Sequence, residues 1–323
     1  VMLYPLQFQP ILKQKIWGGS KLHFKSPVSL EDQHIGESWE VSGIDSELSI
    51  VKNGQFNGHS LKDLIVKYKS EFVGESVYSK FKTQFPILIK FIEAKEKLSV
   101  QLHPDDALAK ERHNSLGKTE MWYITETEGE AKLIIDFKEE ISVQEYKKLL
   151  EDGEIESALN SIKVKEGDAF FIRPGLVHAI GSGVLLAEIQ QTSDITYRIF
   201  DWNRTNDEGE SRELHTDLAL KAIDFSRTSD YRIRYTPVAN SKVSLAETPY
   251  FKTNFIELNG TQNFDYSRVD SFIIYMNVGK GKAVLSYKNV DYVLGPKETI
   301  LIPACVNELT ITSNPTKLLE ISI

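Results

Sequence analysis

The sequence predicts a mainly β protein in which helices interrupt the strands only between residues 60 and 225. Short runs rich in β-branched and aromatic residues recur along the chain, and glycine, proline, asparagine or aspartate separates one run from the next. A motif of turn, apolar strand and proline also occurs twice, which indicates a repeated β unit. The close spacing of the strands favours a sandwich or a barrel over alternating β and α units.

Two series of predicted strands flank an irregular polar segment. The first series comprises residues 37–41, 85–93, 98–103, 121–125, 132–135, 169–172 and 184–190. The second series comprises residues 251–258, 271–276, 283–287, 299–302 and 317–323. We place a domain boundary in the polar segment, so that residues 1–235 form one domain with the helical insertions and residues 236–323 form a second β domain.

Three segments carry apolar residues at helical spacing. They are residues 60–81, 142–160 and 216–225. The first two begin with a capping pattern, because Ser60 stands three positions before Asp63 and Ser142 stands three positions before Glu145. A hydroxyl and a carboxylate at this spacing satisfy free N–H groups of a first helical turn.

The repeated motif places the expected chemistry in the first half of the chain. Its first copy covers residues 167–174, and His178 follows the final proline by four positions. Its second copy covers residues 295–303, with Asn307 at the same offset. None of the seven histidines lies beyond His215. The first domain is therefore predicted to be the catalytic one, and the second is predicted to lack metal ligands.

Composition and charge exclude several classes of protein. With 41% hydrophobic and 26% charged residues, the chain has the composition of a soluble globular protein. Its net charge of −8 argues against nucleic acid or a membrane surface as partner, because both are bound through basic fields. No apolar run reaches the ~18 residues that a membrane span needs. An anionic small-molecule substrate would need a local arginine or lysine.

The single cysteine, Cys305, indicates a reducing compartment. One cysteine cannot form a disulfide within the chain, which favours the cytoplasm. The first ten residues lack the charged start and apolar core of a secretory signal. We therefore predict a cytoplasmic protein, and the sequence does not indicate its oligomeric state.

The predicted strand at residues 98–103 carries two candidate metal ligands. Because side chains alternate along a strand, Gln101 and His103 share one face with Ser99. A strand with one apolar and one solvated face gives the same alternation. An ordinary surface strand is therefore the alternative interpretation.

Glu120 and His178 complete the candidate set. Glu120 begins another predicted strand, where a glutamate without a special role is the alternative. His178 lies in an apolar hairpin, where an unpaired imidazole would be unfavourable and a histidine bonded to a backbone carbonyl is the alternative. Two imidazoles, one carboxylate and one amide oxygen together suit one divalent first-row metal ion. Zinc fits such a set, and manganese, iron and cobalt stay open.

The blocks around these residues resemble the type I mannose-6-phosphate isomerases. Residues 101–105 read Gln-Leu-His-Pro-Asp, and residues 119–123 read Thr-Glu-Met-Trp-Tyr. Residues 167–178 and 188–198 are also similar to that family, and the similarity extends over about residues 5–225. The chain looks like the short bacterial form, because it lacks the large helical insert of the longer members.

The resemblance implies a fold, a cofactor and a reaction. It implies two cupin-type jelly-roll β domains with helical insertions in the N-terminal half. It also implies one zinc ion per chain; the implied ligands are Gln101, His103, Glu120 and His178. The implied reaction interconverts mannose 6-phosphate and fructose 6-phosphate through an enediolate, whose negative charge a metal ion and a guanidinium would stabilise.

Arg198, Glu188 and Lys118 are the candidate catalytic residues. The resemblance assigns a catalytic role to Arg198, although Asp194 and Asp201 flank it and a structural ion pair is the alternative. Glu188 lies in an apolar strand and is one candidate for the general base. Lys118 stands two residues before a candidate ligand, so it is a second candidate for proton transfer or could bind phosphate.

Two other functions stay open from the sequence. A sugar-binding or regulatory cupin with a structural metal would have no need of Arg198 and Lys118. Another metallo-cupin enzyme, such as an oxygenase, would favour iron with open coordination positions. A fourth protein ligand, Gln101, argues against the oxygenase.

Overall fold

The computed structural model describes residues 2–30, 32–205, 208–227 and 231–323, and antiparallel β-sheets dominate it. The predicted mainly β class is confirmed. The strands are β1 Ile11–Gly19, β2 Ile35–Val41, β3 Ile87–Ala94, β4 Val100–Leu102, β5 Glu120–Thr127, β6 Lys132–Phe137, β7 Leu159–Lys163, β8 Ala169–Ile172, β9 His178–Ile180, β10 Val184–Gln191, β11 Tyr197–Phe200, β12 Arg232–Ile233, β13 Lys242–Glu247, β14 Lys252–Asp265, β15 Ile273–Asn277, β16 Ala283–Tyr287, β17 Val290–Leu294, β18 Thr299–Ile302 and β19 Glu308–Ser322. The α-helices are α1 Leu61–Tyr68, α2 Ser70–Val73, α3 Glu75–Phe81, α4 Asp106–His113, α5 Val143–Glu151, α6 Ile155–Ala158 and α7 Thr216–Leu220. Among the described residues, none of these helices has the length and apolar character to cross a membrane.

Within the described residues, the strands form three sheets. A seven-stranded sheet has the order β1-β2-β3-β10-β5-β8-β12, and a five-stranded sheet has the order β11-β4-β9-β6-β7. The C-terminal sheet has the order β13-β14-β19-β15-β18, with β16 paired to β19 and β17 paired to β16. Neighbours in these orders are mostly distant in sequence, which is the pattern expected of a β-sandwich or barrel.

The five-stranded sheet is covered by apolar residues on both faces. Leu133 and Ile180 pack with Trp122 of the seven-stranded sheet in one apolar cluster. Because successive side chains on a strand point to opposite faces, Ala179 turns to the other side, where it belongs to a cluster with Tyr146 of α5 and with residues of α6 and α7. Burial of each large apolar side chain contributes about 1.5–3 kcal/mol. The helical insertions thus complete the core around the strands β4 and β9.

The segment predicted to be helical over residues 60–81 is divided into three short helices, α1, α2 and α3. Ser60 and Asp63 form the predicted capping box at the start of α1. The chain then leaves helical geometry at Lys69, with φ 48°, and at Gly74, with φ 97°. A positive φ is uncommon for a residue with a side chain, so helical spacing alone does not reveal such a break.

The other two predicted helices are shorter than expected. Ser142 and Glu145 form the predicted capping box of α5, but α5 ends at Glu151 and the single turn α6 follows separately. The helix predicted over residues 216–225 is confirmed only for the five residues of α7.

The strand predictions were more successful. The bounds of β8, β16 and β18 coincide with the predicted runs. In contrast, β14 has 14 residues and β19 has 15, and they pair along most of their length. Around Gly260 these strands are polar and exposed, so hydrophobic alternation did not indicate them there.

The chain forms two compact units, each assembled from separated segments. The first unit comprises Leu12–Glu37 and Ile92–Ile233, and the second comprises Val1–Ile11, Ser38–Phe91 and Arg234–Ile323. The unit that contains the C-terminal sheet therefore also includes N-terminal segments, which the sequence did not indicate. The functional division at residues 235 and 236 stays a prediction.

Candidate metal centre

Two histidines and a glutamate converge inside the first unit. One potential ligand atom from each of His103, Glu120 and His178 lies within 4.8 Å of the other two. The Nε2 atom of His103 is 3.3 Å from Oε1 of Glu120, and the Nε2 atom of His178 is 3.9 Å from its Oε2. All three side chains are buried. Residues that are far apart in sequence are therefore neighbours in the fold.

His103 directly follows β4 and is oriented by a backbone contact. Its Nδ1 atom lies 2.8 Å from the carbonyl oxygen of Ile195. A carbonyl oxygen only accepts hydrogen bonds, so Nδ1 donates and Nε2 carries the lone pair. The strand predicted over residues 98–103 is shorter than expected, since β4 comprises Val100–Leu102.

His178 begins β9 after a tight turn. Gly175 in this turn has φ +77°, and a Cβ atom there would lie 2.6 Å from the carbonyl oxygen of Ala222, so the turn requires glycine. The Nδ1 atom of His178 lies 2.8 Å from the carbonyl oxygen of Leu176 and donates to it, which again leaves Nε2 with the lone pair. The ring packs edge-on against Trp122, with 5.3 Å between the centroids.

The Nε2 atom of His178 shows that the site fits a metal ion. This atom is buried and has no hydrogen-bond partner among the described residues. A buried polar atom in that condition destabilises a protein by about 1–3 kcal/mol. A divalent cation beside both Nε2 atoms and the Glu120 carboxylate would satisfy it, because imidazole nitrogen and carboxylate oxygen are common metal ligands.

Lys118 balances the negative charge of Glu120 in this buried site. Its Nζ atom lies 2.8 Å from Oε1 of Glu120 and 3.2 Å from Nε2 of His103. Lys118 is itself buried, and a buried carboxylate without such a partner would be strongly unfavourable. The loop that carries both residues is fixed by Asp106, whose Oδ1 atom accepts a hydrogen bond from the backbone N–H of Gly117 at 2.8 Å.

The surroundings favour neutral histidines and an ionised glutamate. Burial lowers the pKa of His178 to about 3. Burial, together with the Lys118 ammonium, lowers the pKa of His103. Burial opposes ionisation of Glu120, but the Lys118 ammonium holds the pKa of that carboxyl well below its usual range. All three groups are therefore in the protonation state that binds a metal ion.

Gln101 and Arg198 lie on strands beside these ligands. Gln101 is directly opposite His178 in the β4–β9 pair and opposite Arg198 in the β4–β11 pair. The hydroxyl of Ser99 donates to Oε1 of Gln101 at 3.3 Å, and it accepts from Nε of Arg198 at 3.2 Å. The register thus brings Gln101 next to the cluster, and its role as a fourth ligand stays a prediction.

Arg198 is half-buried and does not depend on Asp201 as its hydrogen-bond partner. Its Nη1 atom donates to the carbonyl oxygen of Glu213 at 2.8 Å. Asp201 forms ion pairs with Arg204 at 2.6 Å and with Arg212 at 2.7 Å. Burial and the charge of Arg212 lower the pKa of Arg198. The local positive charge that an anionic substrate requires is therefore present in this acidic protein.

Glu188 is connected to the cluster through an indole ring. It is buried in β10 directly opposite Trp122, whose Nε1 atom donates to its Oε2 atom at 2.9 Å. The same indole contacts the ring of His178. Lys118, the other candidate for proton transfer, contacts Glu120 directly. The catalytic roles of these residues stay predictions.

Sequence reasoning missed the residues that hold the ligands in place. Gln191 accepts a hydrogen bond from the backbone N–H of Thr119 at 2.9 Å and donates to Asp106 at 2.9 Å. Trp122 and Thr119 lie in the Thr-Glu-Met-Trp-Tyr block, so their closeness in sequence to Glu120 could have indicated that they support it. The contribution of Gln191 follows only from the pairing of β10 with β5, which no local pattern reveals.

This fold and this site define a cupin-like protein with a buried, metal-competent His/Glu/His set. A sequence profile for the catalytic domain of type I phosphomannose isomerase matches residues 5–146. The chain is 33% identical over 304 residues to the mannose-6-phosphate isomerase ManA of Bacillus subtilis, covering 90% of this chain and 93% of that protein. It is 30% identical over 303 residues to the mannose-6-phosphate isomerase of Streptococcus mutans, covering 94% and 93%. The crystal structure of the mannose 6-phosphate isomerase from Bacillus subtilis is similar with a TM-score of 0.88 and 30% identity over 99% of each chain. The chain belongs to the type I phosphomannose isomerase family.

Proposed function

We propose that this protein interconverts mannose 6-phosphate and fructose 6-phosphate with one zinc ion per chain. The proposed ligands are His103, Glu120 and His178, with Gln101 as the fourth. The buried convergence of three ligand atoms within 4.8 Å is the observation that carries the proposal. Similarity over nearly the full chain to relatives named as mannose-6-phosphate isomerases supports it. We also propose a cytoplasmic location, which the single cysteine favours.

The ligand residues are preorganised for this chemistry. A zinc ion would supply a Lewis acid that polarises substrate oxygens. His103 and His178 present Nε2 without rearrangement, because backbone carbonyl groups fix each Nδ1 atom. Lys118 keeps Glu120 ionised, so the site retains a negative charge toward the cation.

Arg198 would stabilise the negative charge that develops on oxygen, or would hold the anionic group of the substrate. Ser99 and the carbonyl of Glu213 already orient its guanidinium. A charged donor that is fixed in advance stabilises a transition state without further reorganisation. Its planar fork also matches two oxygens at once.

Movement of the carbonyl between C1 and C2 requires a group that takes a proton from carbon. Glu188 and Lys118 are the two candidates, and Glu188→Gln and Lys118→Met separate them when turnover is compared at equal zinc content. Glutamine still accepts from Trp122, so Glu188→Gln removes proton transfer with little change in shape. We expect the variant of the proton carrier to lose turnover by about 10²–10⁴-fold, together with solvent deuterium incorporation at C2. If both variants still incorporate deuterium at C2 at the wild-type rate, neither Glu188 nor Lys118 is the proton carrier.

Metal analysis combined with a coupled assay tests the whole proposal. The purified protein should contain about one zinc ion per chain and should form fructose 6-phosphate from mannose 6-phosphate. A chelator should abolish the activity, and added zinc should restore it. Zinc without isomerisation would favour a sugar-binding or regulatory protein with a structural metal. Iron with oxygen uptake would favour an oxygenase.

A further inference from the structure

Arg198 is held by a segment that returns to it after β11. Thr205 and Ser211 form an isolated antiparallel bridge. The residues after Ser211 therefore run back beside β11. The backbone N–H of His215 donates to the carbonyl of Arg198 at 2.7 Å. The backbone N–H of Arg198 donates to Nδ1 of His215 at 3.1 Å. With the carbonyl of Glu213, this segment therefore contacts both the backbone and the guanidinium of Arg198.

Asp201 anchors the returning segment through Arg212. Asp201 is only 6% exposed. The Nε atom of Arg212 donates to its Oδ2 at 2.8 Å, and Nη2 donates to its Oδ1 at 2.7 Å. Arg204 also donates to Oδ1 at 2.6 Å and reaches the carbonyl of Lys97 at 2.6 Å. A two-point pair between arginine and carboxylate fixes orientation as well as charge, so residue 212 is held in one place relative to β11.

We propose that the Asp201–Arg212 ion pair positions Arg198 for the reaction. This inference rests on the proposed function. Arg212 immediately precedes Glu213, so a shift of Arg212 would move the carbonyl oxygen that holds the Arg198 guanidinium. A displacement of about 1 Å in a positioned catalytic group can reduce turnover about 100-fold. Arg212 is a positioning residue, since it acts through Asp201 and Glu213.

A double-mutant cycle between Arg212 and Arg198 tests this coupling. Arg212→Gln should lower kcat by about 10- to 100-fold with an unchanged zinc content. The same substitution in an Arg198→Lys background should lower kcat by less than about twofold, because the group that Arg212 positions is already altered. Arg212→Lys, which keeps the charge but not the two-point contact, should give an intermediate kcat.

Arg232→Gln is the matched control. Arg232 also pairs with a buried aspartate, Asp168, at 3.2 Å and with the carbonyl of Lys163 at 2.9 Å. Its loss should leave kcat unchanged. Wild-type kcat in Arg212→Gln, or an equal loss in both backgrounds, would overturn the proposal.

A readout without turnover separates this inference from the proposed function. If the wild-type protein has no isomerase activity, the proposed function is contradicted, but the positioning of Arg198 by Arg212 can still be tested. The Nε–H resonance of Arg198 in a ¹⁵N spectrum, assigned by its loss in Arg198→Lys, then reports the position of the side chain. It should shift or broaden in Arg212→Gln but not in Arg232→Gln. An unchanged resonance in Arg212→Gln would overturn the positioning role.

Discussion

The two units contain the same buried pair of carboxylate and aromatic side chain but surround it differently. In the first unit, Glu188 on β10 is opposite Trp122 on β5. In the second unit, Glu320 on β19 is opposite Tyr275 on β15. The aromatic group donates to the carboxylate in both, at 2.9 Å from the indole and at 3.1 Å from the phenol. The two copies of the β unit therefore share an internal hydrogen bond as well as a strand pattern.

The strand register shows which ligands the second unit lacks. Glu120 pairs with Ile172 on β8, and in the equivalent place Ile273 pairs with Ile302 on β18. Ile273 is buried, so an apolar side chain occupies the position that the candidate ligand Glu120 has in the first unit.

The counterpart of His178 is Glu308, one residue beyond the Asn307 that the sequence motif indicated. Each begins a strand, six residues after the preceding strand ends at residue 172 or 302. The sequence motif counted four residues from the proline. Pro174 lies two residues after the end of β8, whereas Pro303 lies one residue after the end of β18, so the count from Pro303 reached Asn307 and not Glu308. In the first unit, Gln101 pairs with His178. In the second unit, Asp265 pairs with Glu308 in the same way. The carboxylates of Asp265 and Glu308 are exposed, unlike the three buried candidate ligands of the first unit.

The buried carboxylate of the second unit, Glu320, is contacted by several hydrogen-bond donors. The Nζ atom of Lys242 lies 2.6 Å from Oε2 of Glu320, and Asn254 donates to its Oε1 at 3.0 Å. The hydroxyl of Tyr266 also donates to Glu320, and burial together with that carboxylate raises the pKa of Tyr266 well above its usual range. In contrast, Nε2 of His178 has no such partner among the described residues. The metal-competent set of the first unit therefore includes a buried nitrogen that is left without a partner in the described part of the chain, whereas the equivalent carboxylate pair of the second unit is engaged.

The strongest test of this difference removes one ligand from each unit. His178→Ala should lose the metal and reduce kcat/KM by about 10³-fold or more, while the protein stays folded. Glu308→Ala, at the equivalent position, should leave both unchanged. Zinc analysis, circular dichroism and the isomerase assay make the comparison. Full turnover in His178→Ala would exclude the proposed ligand set.

A second substitution separates metal binding from charge stabilisation within the first unit. Arg198→Lys should retain zinc but lose turnover by about 10²-fold, because an ammonium cannot reproduce the planar fork. Arg232→Lys is the control and should keep normal kcat. Loss of zinc in Arg198→Lys would show that Arg198 is structural.

Removal of the carboxylate in the second unit should affect stability rather than activity. Glu320→Ala leaves Lys242, Asn254 and Tyr266 without their acceptor, so we expect the free energy of unfolding to fall by about 3 kcal/mol. Asp265→Ala, at an exposed carboxylate, should change it by less than about 0.5 kcal/mol. Urea denaturation measures both. A loss of zinc in Glu320→Ala would contradict the separation of roles.

The pH dependence of stability should report the buried histidines of the first unit. Burial lowers the folded-state pKa of His178 to about 3, so the unfolded chain binds a proton below about pH 6.5 that the folded chain does not. Stability of the metal-free protein should therefore decrease as the pH falls from about 6.5. Between about pH 6 and pH 5, His178→Ala should reduce this slope by about 1.4 kcal/mol per pH unit. Identical slopes in chelator-treated wild type and variant would show that His178 is not held neutral.

The sequence predicted the strands better than their extent or the breaks between helices. Short apolar runs fix β8 and β18, because nearly every residue of each strand is buried. The exposed halves of β14 and β19 carry little such signal, and the positive φ at Lys69 depends on tertiary packing. Local patterns therefore indicate buried elements and miss those that distant contacts impose.

The candidate ligands could be selected from their residue types, but not their orientation. Alternation placed Gln101 and His103 together, and the Thr-Glu-Met-Trp-Tyr block identified Glu120. The carbonyl groups of Ile195 and Leu176 determine which imidazole nitrogen faces the site. These contacts are made by the backbone, so no residue type in the sequence encodes them.

The most direct test of the metal centre is a crystal structure of zinc-loaded protein with anomalous diffraction at the zinc edge. We expect one peak per chain, within about 2.0–2.2 Å of Nε2 of His103, of Nε2 of His178 and of one carboxylate oxygen of Glu120. An absent peak between these three side chains, or a single peak elsewhere in the chain, would contradict the account.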